Sequence, residues 1–302
     1  MTTTAPTDTA PPPAAGLGRL ALLSGDYFLR YVDQVRLGFG GDLLKGLIFV
    51  ALVQGNVGHL DRDRELSQRW SDVDAVPPDE LRRPIRILPL ADSLRLPRES
   101  VRRKMQQLAV EGFVVKMAKG FVAPTAVLSR PGNARALASN AAKLADLIDG
   151  VAAMGAAGLG PSAAPFRPQP SQYRLLGRVT SDFCLRCLDE VRMLFDGEVL
   201  TGLVFLAILI ANHEDTGEGR RPISVQALSG RIGLPRETVR RHVLRLITAG
   251  FCAQVGGGAA GGLVVDPQLR DRPGFEAAVQ RNEVNVRWLV TQLRRAGALA
   301  TD

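Results

Sequence analysis

A mostly α-helical protein carrying small β-hairpins, built as two tandem repeats, is what the sequence predicts. Three observations predict it: two blocks of sequence that recur in the same order, apolar residues at helical spacing, and short β-favouring runs around turn residues. Residues 26–53 (DYFLRYVDQVRLGFGGDLLKGLIFVALV) align without gaps to residues 182–209 (DFCLRCLDEVRMLFDGEVLTGLVFLAIL), with 13 of 28 positions identical. Residues 84–113 align to residues 222–251 with 13 of 30 identical. Ordinary residue usage gives roughly two identities in windows of that length. A shorter echo joins Arg130-Pro131-Gly132 to Arg272-Pro273-Gly274. Self-similarity at this scale marks a duplication. The domain reading follows: 1–16 a disordered tail, 17–154 the first repeat, 155–172 a linker without regular structure, and 173–302 the second repeat.

Each repeat follows one plan. Two helices come first, near 26–38 and 42–56 in the first repeat, separated by Gly40-Gly41. Two shorter helices follow, then a hairpin and a closing helix. The first hairpin is 113–124, with its turn placed at Lys119-Gly120; the second is 251–265, with a longer Gly-rich tip. The closing helices fall near 132–152 and 274–296, the latter striped by Val286, Leu289, Val290 and Leu293. The segment 61–80 has no counterpart in the second repeat and is expected to be a surface loop.

Composition narrows the function. With 302 residues, 46% of them hydrophobic, each half has enough apolar content for its own core. Lys plus Arg number 38 against 30 acidic residues, a formal charge of +8 that points to an anionic partner. Three cysteines, an odd number, argue against a disulfide scaffold and fit a reducing cytoplasm. The N-terminus lacks the pattern of a secretory signal. The apolar runs 47–53 and 203–211 are far shorter than the roughly 20 residues of a membrane span, so no membrane partner is expected.

The charge is concentrated in GLPRETVRRHVLRLITAGF, 233–251. Val239, Val243, Leu246 and Ile247 make the buried stripe of an amphipathic helix, and Leu228, Ile232 and Leu234 precede it at the spacing of a short helix and tight turn. Gly233 suits that turn and Pro235 the helix start. This is the grammar of a helix-turn-helix followed by a hairpin, a winged helix. Arg231 to Arg245 holds five arginines and one glutamate, and Arg95 to Lys104 again nets +4.

Pro-Arg-Glu-Thr-Val-Arg-Arg, followed by Leu246 and Gly250-Phe251, resembles the recognition helix of winged helix-turn-helix bacterial transcription regulators of the Crp/Fnr type. The long flanking helices are similar to those of MarR-like regulators, which dimerise through them. The resemblance implies that Arg236, Glu237 and Arg241, with Arg98, Glu99 and Arg103 in the first repeat, read base edges. Arg grips guanine O6 and N7, and Glu accepts from cytosine N4. Ser100, Arg102, Lys104, Thr238, Arg240 and Arg245 are expected on phosphates, with Lys116 and Lys119 of the first wing. His242 aligns with Lys104 and is expected in a solvent or phosphate role. Copy one places Arg95 where copy two has the turn glycine. A non-glycine residue costs roughly 1–2 kcal/mol there if its φ is positive. No cyclic-nucleotide barrel accompanies these helices, so the family's effector is not inherited.

Other sites weigh less. Cys184-x-x-Cys187 occupies the positions of Phe28 and Tyr31, which favours small apolar fillers over a redox or zinc pair. His59, His213 and His242 lack partners at metal-ligand spacing, and GGGAAGG (256–262) lacks the Lys-Ser/Thr and helix of a phosphate loop. No nucleophile–base pattern stands out, so neither an enzyme nor a cofactor is expected. The expectation is a covalent pseudo-dimer binding double-stranded DNA at an imperfect palindrome, with RNA polymerase as a further candidate partner. The two half-sites differ in strength through Lys104/His242 and Gln107/Arg245. The alternative is a tandem winged-helix protein-interaction module of a chromosome-organising or replication-initiation assembly.

Overall fold

The structure, a computed structural model, describes residues 14–161, 163–213, 221–256 and 261–300. Residues 1–13 of the expected tail and the Gly-rich tip at 257–260 lie outside them. The protein is mostly helical, with two antiparallel two-stranded sheets. In order come α1 (Ala14–Gly38), α2 (Leu43–Val57), α3 (Arg64–Arg69), α4 (Ile87–Leu94), α5 (Arg98–Val110), β1 (Val115–Met117), β2 (Gly120–Val122), α6 (Thr125–Leu128) and α7 (Pro131–Ala153). Then follow α8 (Tyr173–Leu194), α9 (Val199–Ala211), α10 (Val225–Ile232), α11 (Arg236–Thr248), β3 (Cys252–Val255), β4 (Gly262–Val265) and α12 (Pro273–Arg295). α1 starts twelve residues before the expected 26, because the Ala- and Leu-rich stretch ahead of Asp26 continues its helical periodicity.

The core is built from the long helices of both repeats. α1 packs on α2 and α7 of its own half and on α9 and α12 of the other; α8 packs on α9 and α12 of its own and on α2 and α7 of the first. Ser24 Oγ donates to Leu20 O at 2.9 Å and meets Asn282 Oδ1 at 3.0 Å. At the equivalent places Thr180 Oγ1 donates to Leu176 O at 2.7 Å and accepts from Asn140 Nδ2 at 2.7 Å. The same contact is thus made twice, with the partners exchanged.

Inside each half, glycine lets the second helix approach the first. A Cβ on Gly46 would stand 2.6 Å from Val35 Cγ1, and one on Gly202 would stand 2.9 Å from Phe195. That approach closes an aromatic triad. Phe39, Phe49 and Phe113 have centroids 5.1 to 5.8 Å apart, and Phe195, Phe205 and Phe251 lie 4.9 to 5.6 Å apart. Arg130 covers Phe113 at 5.3 Å and Arg272 covers Phe251 at 5.2 Å, which fixes the start of each closing helix over its triad.

The hairpins are held by a buried asparagine at the end of α2 and α9. Asn56 Nδ2 donates to Arg83 O and Phe121 O, at 2.8 and 3.1 Å, and its Oδ1 accepts from Ala123 N at 2.9 Å. Asn212 does the same with Arg221 O, Leu263 O and Val265 N, at 2.7, 3.1 and 2.7 Å. The isolated bridges Ile85–Phe121 and Ile223–Leu263 add a one-residue third strand to each sheet. The first turn is Ala118-Lys119, since Met117 pairs with Gly120; the expected turn was one residue late. Gly120 opens β2 instead.

The segment 61–80 is not a loose surface loop. It forms α3 between two short 3₁₀ turns and clamps the start of α8. Arg178, buried on α8, donates to Asp61 Oδ1 at 2.8 Å, Trp70 O at 2.7 Å and Ser67 O at 3.1 Å. Val73 N donates to Pro170 O at 3.0 Å and Arg174 N to Ser71 O at 2.9 Å. Sequence gives no warning of this, because the arginines that need the segment lie more than 90 residues away. The linker 155–172 has little regular structure, yet Leu159 and Phe166 are buried and Phe166 N donates to Asp149 Oδ1 at 2.7 Å. Among the described residues no single helix is long and apolar enough to cross a membrane; the bent pairs α1–α2 and α8–α9 reach that length and composition only together.

Candidate nucleic-acid interface

Helices α5 and α11 each bury one face and expose the other. Val101, Met105 and Leu108 are buried on α5; Val239, Val243 and Leu246 are buried on α11, with Ile247 half-buried. Leu228 is buried on α10, and Ile232 and Leu234 are half-buried beside it. On the opposite faces Arg98 and Arg103, and Arg236 and Arg241, are exposed. Among the described residues these four guanidinium groups make no side-chain hydrogen bond or ion pair. Arg has no lone pair to satisfy internally and five N–H donors to offer, so such a group is available to an anion or a base edge.

The glutamates are not free in the same way. Glu99 pairs with Arg102 at 2.5 Å, and Glu237 with Arg240 at 2.8 Å. The pairing is i,i+3 in both copies, not the i,i+4 contact between Glu237 and Arg241. Hydrogen bonding from Arg102 and Arg240 holds the two carboxyls below their usual range. Each carboxylate still has lone pairs left to accept from a base. Each of these glutamates therefore forms an ion pair with its neighbouring arginine on the helix surface.

The remaining expected residues scatter more. Lys116 and Lys119 are exposed on β1 and its turn, while Ser100 and Thr238 are half-buried in the first turns of α5 and α11. Arg245 pairs with Glu198 at 2.5 Å across an exposed surface. Lys104 does not belong with the outward cations. Its ammonium pairs with Asp42, the residue that caps α2, and its side chain is only 14% exposed. Burial pushes Asp42 up, but bonds from Lys104 and from Lys45 N outweigh it and leave the carboxyl below its ordinary value. His242 is corrected too. It is buried, and its Nδ1 lies 2.8 Å from Thr201 Oγ1. Burial, with Arg245 and Arg241 nearby, lowers its pKa. Position 242 falls at the edge of the buried stripe, where the ammonium stem of Lys104 also runs inward.

Turn geometry fixes the angle at which these helices leave the core. Arg95 closes α4 at φ 45°, ψ 44°, and Gly233 closes α10 at φ 62°, ψ 28°. Arg95 therefore adopts the left-handed conformation that the glycine adopts, and the two turns are alike. Each turn is braced by an arginine from the other repeat. Arg192 Nη1 donates to Leu94 O at 2.9 Å, and the Arg36 guanidinium packs against Gly233, where a Cβ would collide with it. Asp33 holds Arg36 at 2.7 Å. Neither arginine was singled out from sequence. Their identity at aligned positions of the two repeats is the signal that marks them.

The thiols of Cys184 and Cys187 are buried, and burial pushes both up, so their setting is apolar. Among the described residues no group of three or more His, Cys, Asp or Glu side chains could hold a metal ion. In comparisons with family models, curated proteins and solved structures, nothing matches this chain.

Proposed function

We propose that this protein is a sequence-specific double-stranded DNA-binding transcription regulator, a pair of winged helix-turn-helix repeats acting as a pseudo-dimer in one chain. α5 and α11 are the recognition helices, each entering a major groove. Arg98 and Arg103, and Arg236 and Arg241, take base edges together with Glu99 and Glu237. Ser100, Arg102, Thr238, Arg240 and Arg245, with Lys116 and Lys119, take phosphates. Lys104 leaves that set because its ammonium is held by Asp42. The role is binding and not catalysis, in a cytoplasmic setting, with RNA polymerase as a partner of an activator.

One observation carries this reading. The same Arg-Glu-x-x-x-Arg pattern stands outward on both helices, with the same two arginines unpaired and the same glutamate paired in each copy. Duplication makes the two faces start alike, and this exposed face has kept its arginines, its glutamate and their pairing while 17 of the 30 aligned positions diverged. Exchanged packing around the long helices supports an approximate two-fold relation, and so an imperfect palindrome with half-sites about one helical turn, ~34 Å, apart.

Selection from a random double-stranded library tests it. An enriched, imperfectly palindromic site is expected, with affinity falling steeply as salt rises because neutralised phosphates release counterions. Arg236→Ala or Arg241→Ala should erase one base preference in one half-site, at about 1–3 kcal/mol for a bidentate contact. Enrichment of a single unrepeated half-site counts against the pseudo-dimer. A flat salt response counts against DNA binding and for the protein-interaction alternative.

A further inference from the structure

The duplication placed a cavity at the same position in each half, and one is far larger than the other. Val35, Phe39, Phe49 and Asn140 line the first; their aligned counterparts Val191, Phe195, Phe205 and Asn282 line the second. The first measures about 490 Å³ and the second about 90 Å³. Two substitutions fill the second. Leu194 stands where the first has Gly38, and Phe275 stands where it has Asn133. Phe275 sits edge-on to Phe205 with centroids 6.2 Å apart.

The larger cavity also has a wall that the other lacks. The 61–80 segment and its flank supply Pro77 and Arg82, and α8 supplies Arg174 and Arg178. All three arginines are buried. Arg178 is satisfied by Asp61, Trp70 O and Ser67. Arg82 donates from Nε to Asp79 at 3.2 Å and from Nη2 to Pro77 O at 2.7 Å, but its Nη1 is buried with no partner among the described residues. Arg174 reaches the carbonyls of Val73 and Leu128 through Nη2, and its Nε is likewise buried and unpartnered. Asp79 pairs with Arg82 and Asp61 with Arg178, so Arg174 is the one of the three with no carboxylate in contact among the described residues. Asp72 and Asp74 act on Arg174 without an ion pair. Burial, with Arg178 and Arg82 alongside, brings Arg174 down to about 10.

We propose that this cavity binds a small organic anion, its carboxylate or sulfate head on Arg82 and Arg174 and its apolar body along Val35, Phe39, Phe49 and Val53. An unsatisfied buried guanidinium N–H is costly; Arg82 and Arg174 both line the cavity with such a group just beneath its surface, and a small side-chain shift toward an anion gives each an acceptor. The volume lies inside the roughly 300–1,000 Å³ range of small-molecule sites, which pair an apolar lining with a few polar groups in this way. The wall joins α1, α2 and α7 of the first repeat to α8 of the second, so an occupant bridges the two halves. Any effect on DNA rests on the regulator reading; binding to the cavity does not.

Calorimetry on the full chain without DNA, using decanoate, decyl sulfate and uncharged 1-decanol below their aggregation limits, tests the proposal. One anion per chain is expected, about ten-fold or more tighter than decanol, the factor a charge-assisted bond supplies. Arg174→Gln should remove that preference. Gly38→Leu with Asn133→Phe, which copies the filled cavity, should abolish binding while the far-ultraviolet spectrum and cooperative melt persist. Should Arg174→Gln fail to fold, the filling pair decides alone, since a Cβ at Gly38 meets nothing within 4 Å. Equal binding of decanol and decanoate overturns the proposal, as does unchanged binding by the filled variant or no anion binding at all. A separate titration of DNA with and without decanoate then reports on regulation without bearing on the site.

Discussion

Asn140 on α7 donates to Thr180 Oγ1 on α8 at 2.7 Å, and its Oδ1 accepts from the Tyr27 hydroxyl on α1 at 2.9 Å. One buried amide thus joins three helices from both repeats. Its counterpart Asn282 meets Ser24 but has Phe183 where the first half has Tyr27, so no hydroxyl completes it. Asn140→Ala should cost about 1–3 kcal/mol, the penalty for taking from the buried Tyr27 hydroxyl its amide acceptor, and more than Asn282→Ala. Urea unfolding of the two variants checks the order, and a larger loss for Asn282→Ala would contradict it.

Arg95 holds a left-handed conformation that suits glycine. Relief of that strain by Arg95→Gly, less the extra entropy glycine loses on folding, leaves a gain of ~1 kcal/mol or somewhat less. Gly233→Ala runs the other way, adding a Cβ at positive φ against the Arg36 guanidinium. The melting temperature should rise for the first and fall for the second. A drop for Arg95→Gly would mean that its side chain contributes more to the turn than its backbone costs.

His242 titrates in the direction set by burial. Its folded pKa lies below the ordinary 6.5, so the unfolded chain takes up the proton first. The stability associated with the neutral ring is present above about pH 6.5 and declines as pH falls through that value toward the folded pKa. His59 is lowered as well, by burial and then by Arg83 and Arg62, and adds to the same window. Unfolding free energy should decline from pH 7 to pH 5. His242→Gln should flatten that slope, and an unchanged slope in the variant would exclude the residue.

Asn56 and Asn212 each connect a helix end to a hairpin strand. Without the amide, the backbone N–H of Ala123 or of Val265 loses its side-chain acceptor. Asn212→Ala should speed amide exchange at Val265 while leaving Ala123 protected, and Asn56→Ala should do the reverse. Simultaneous loosening of both hairpins would show that they are coupled through the core.

Lys116 and Lys119 are exposed on the first hairpin, and the described part of the second hairpin carries no lysine or arginine. If the first hairpin touches DNA, each lysine removed lowers the logarithmic salt slope by about 0.9. Lys116→Ala with Lys119→Ala should therefore flatten the salt dependence without changing the selected sequence. A changed base preference would place these lysines at base edges.

Much of the architecture was legible because helices and hairpins announce themselves locally. The stripe Val239, Val243, Leu246, the Gly233 turn and the outward arginines follow from spacing within a dozen residues, and the structure has them in those roles. Lys104 and His242 were misread for the same local reason. Positions 104 and 242 sit at the edge of the stripe, and each faces inward because of a partner from elsewhere in its repeat, Asp42 for Lys104 and Thr201 for His242. The 61–80 segment looked like a loop because the arginines it satisfies lie far along the chain.

By itself the sequence determined the duplication, the helix and hairpin order, and the concentration of cationic side chains on two short helices, since periodicity and charge are properties of neighbouring residues. Only the tertiary structure decided which hydroxyl meets which asparagine across the halves, which arginine braces which turn, and which of two equivalent cavities is the larger. Those outcomes depend on where long helices cross, and a crossing brings together side chains whose separation along the chain carries no local pattern.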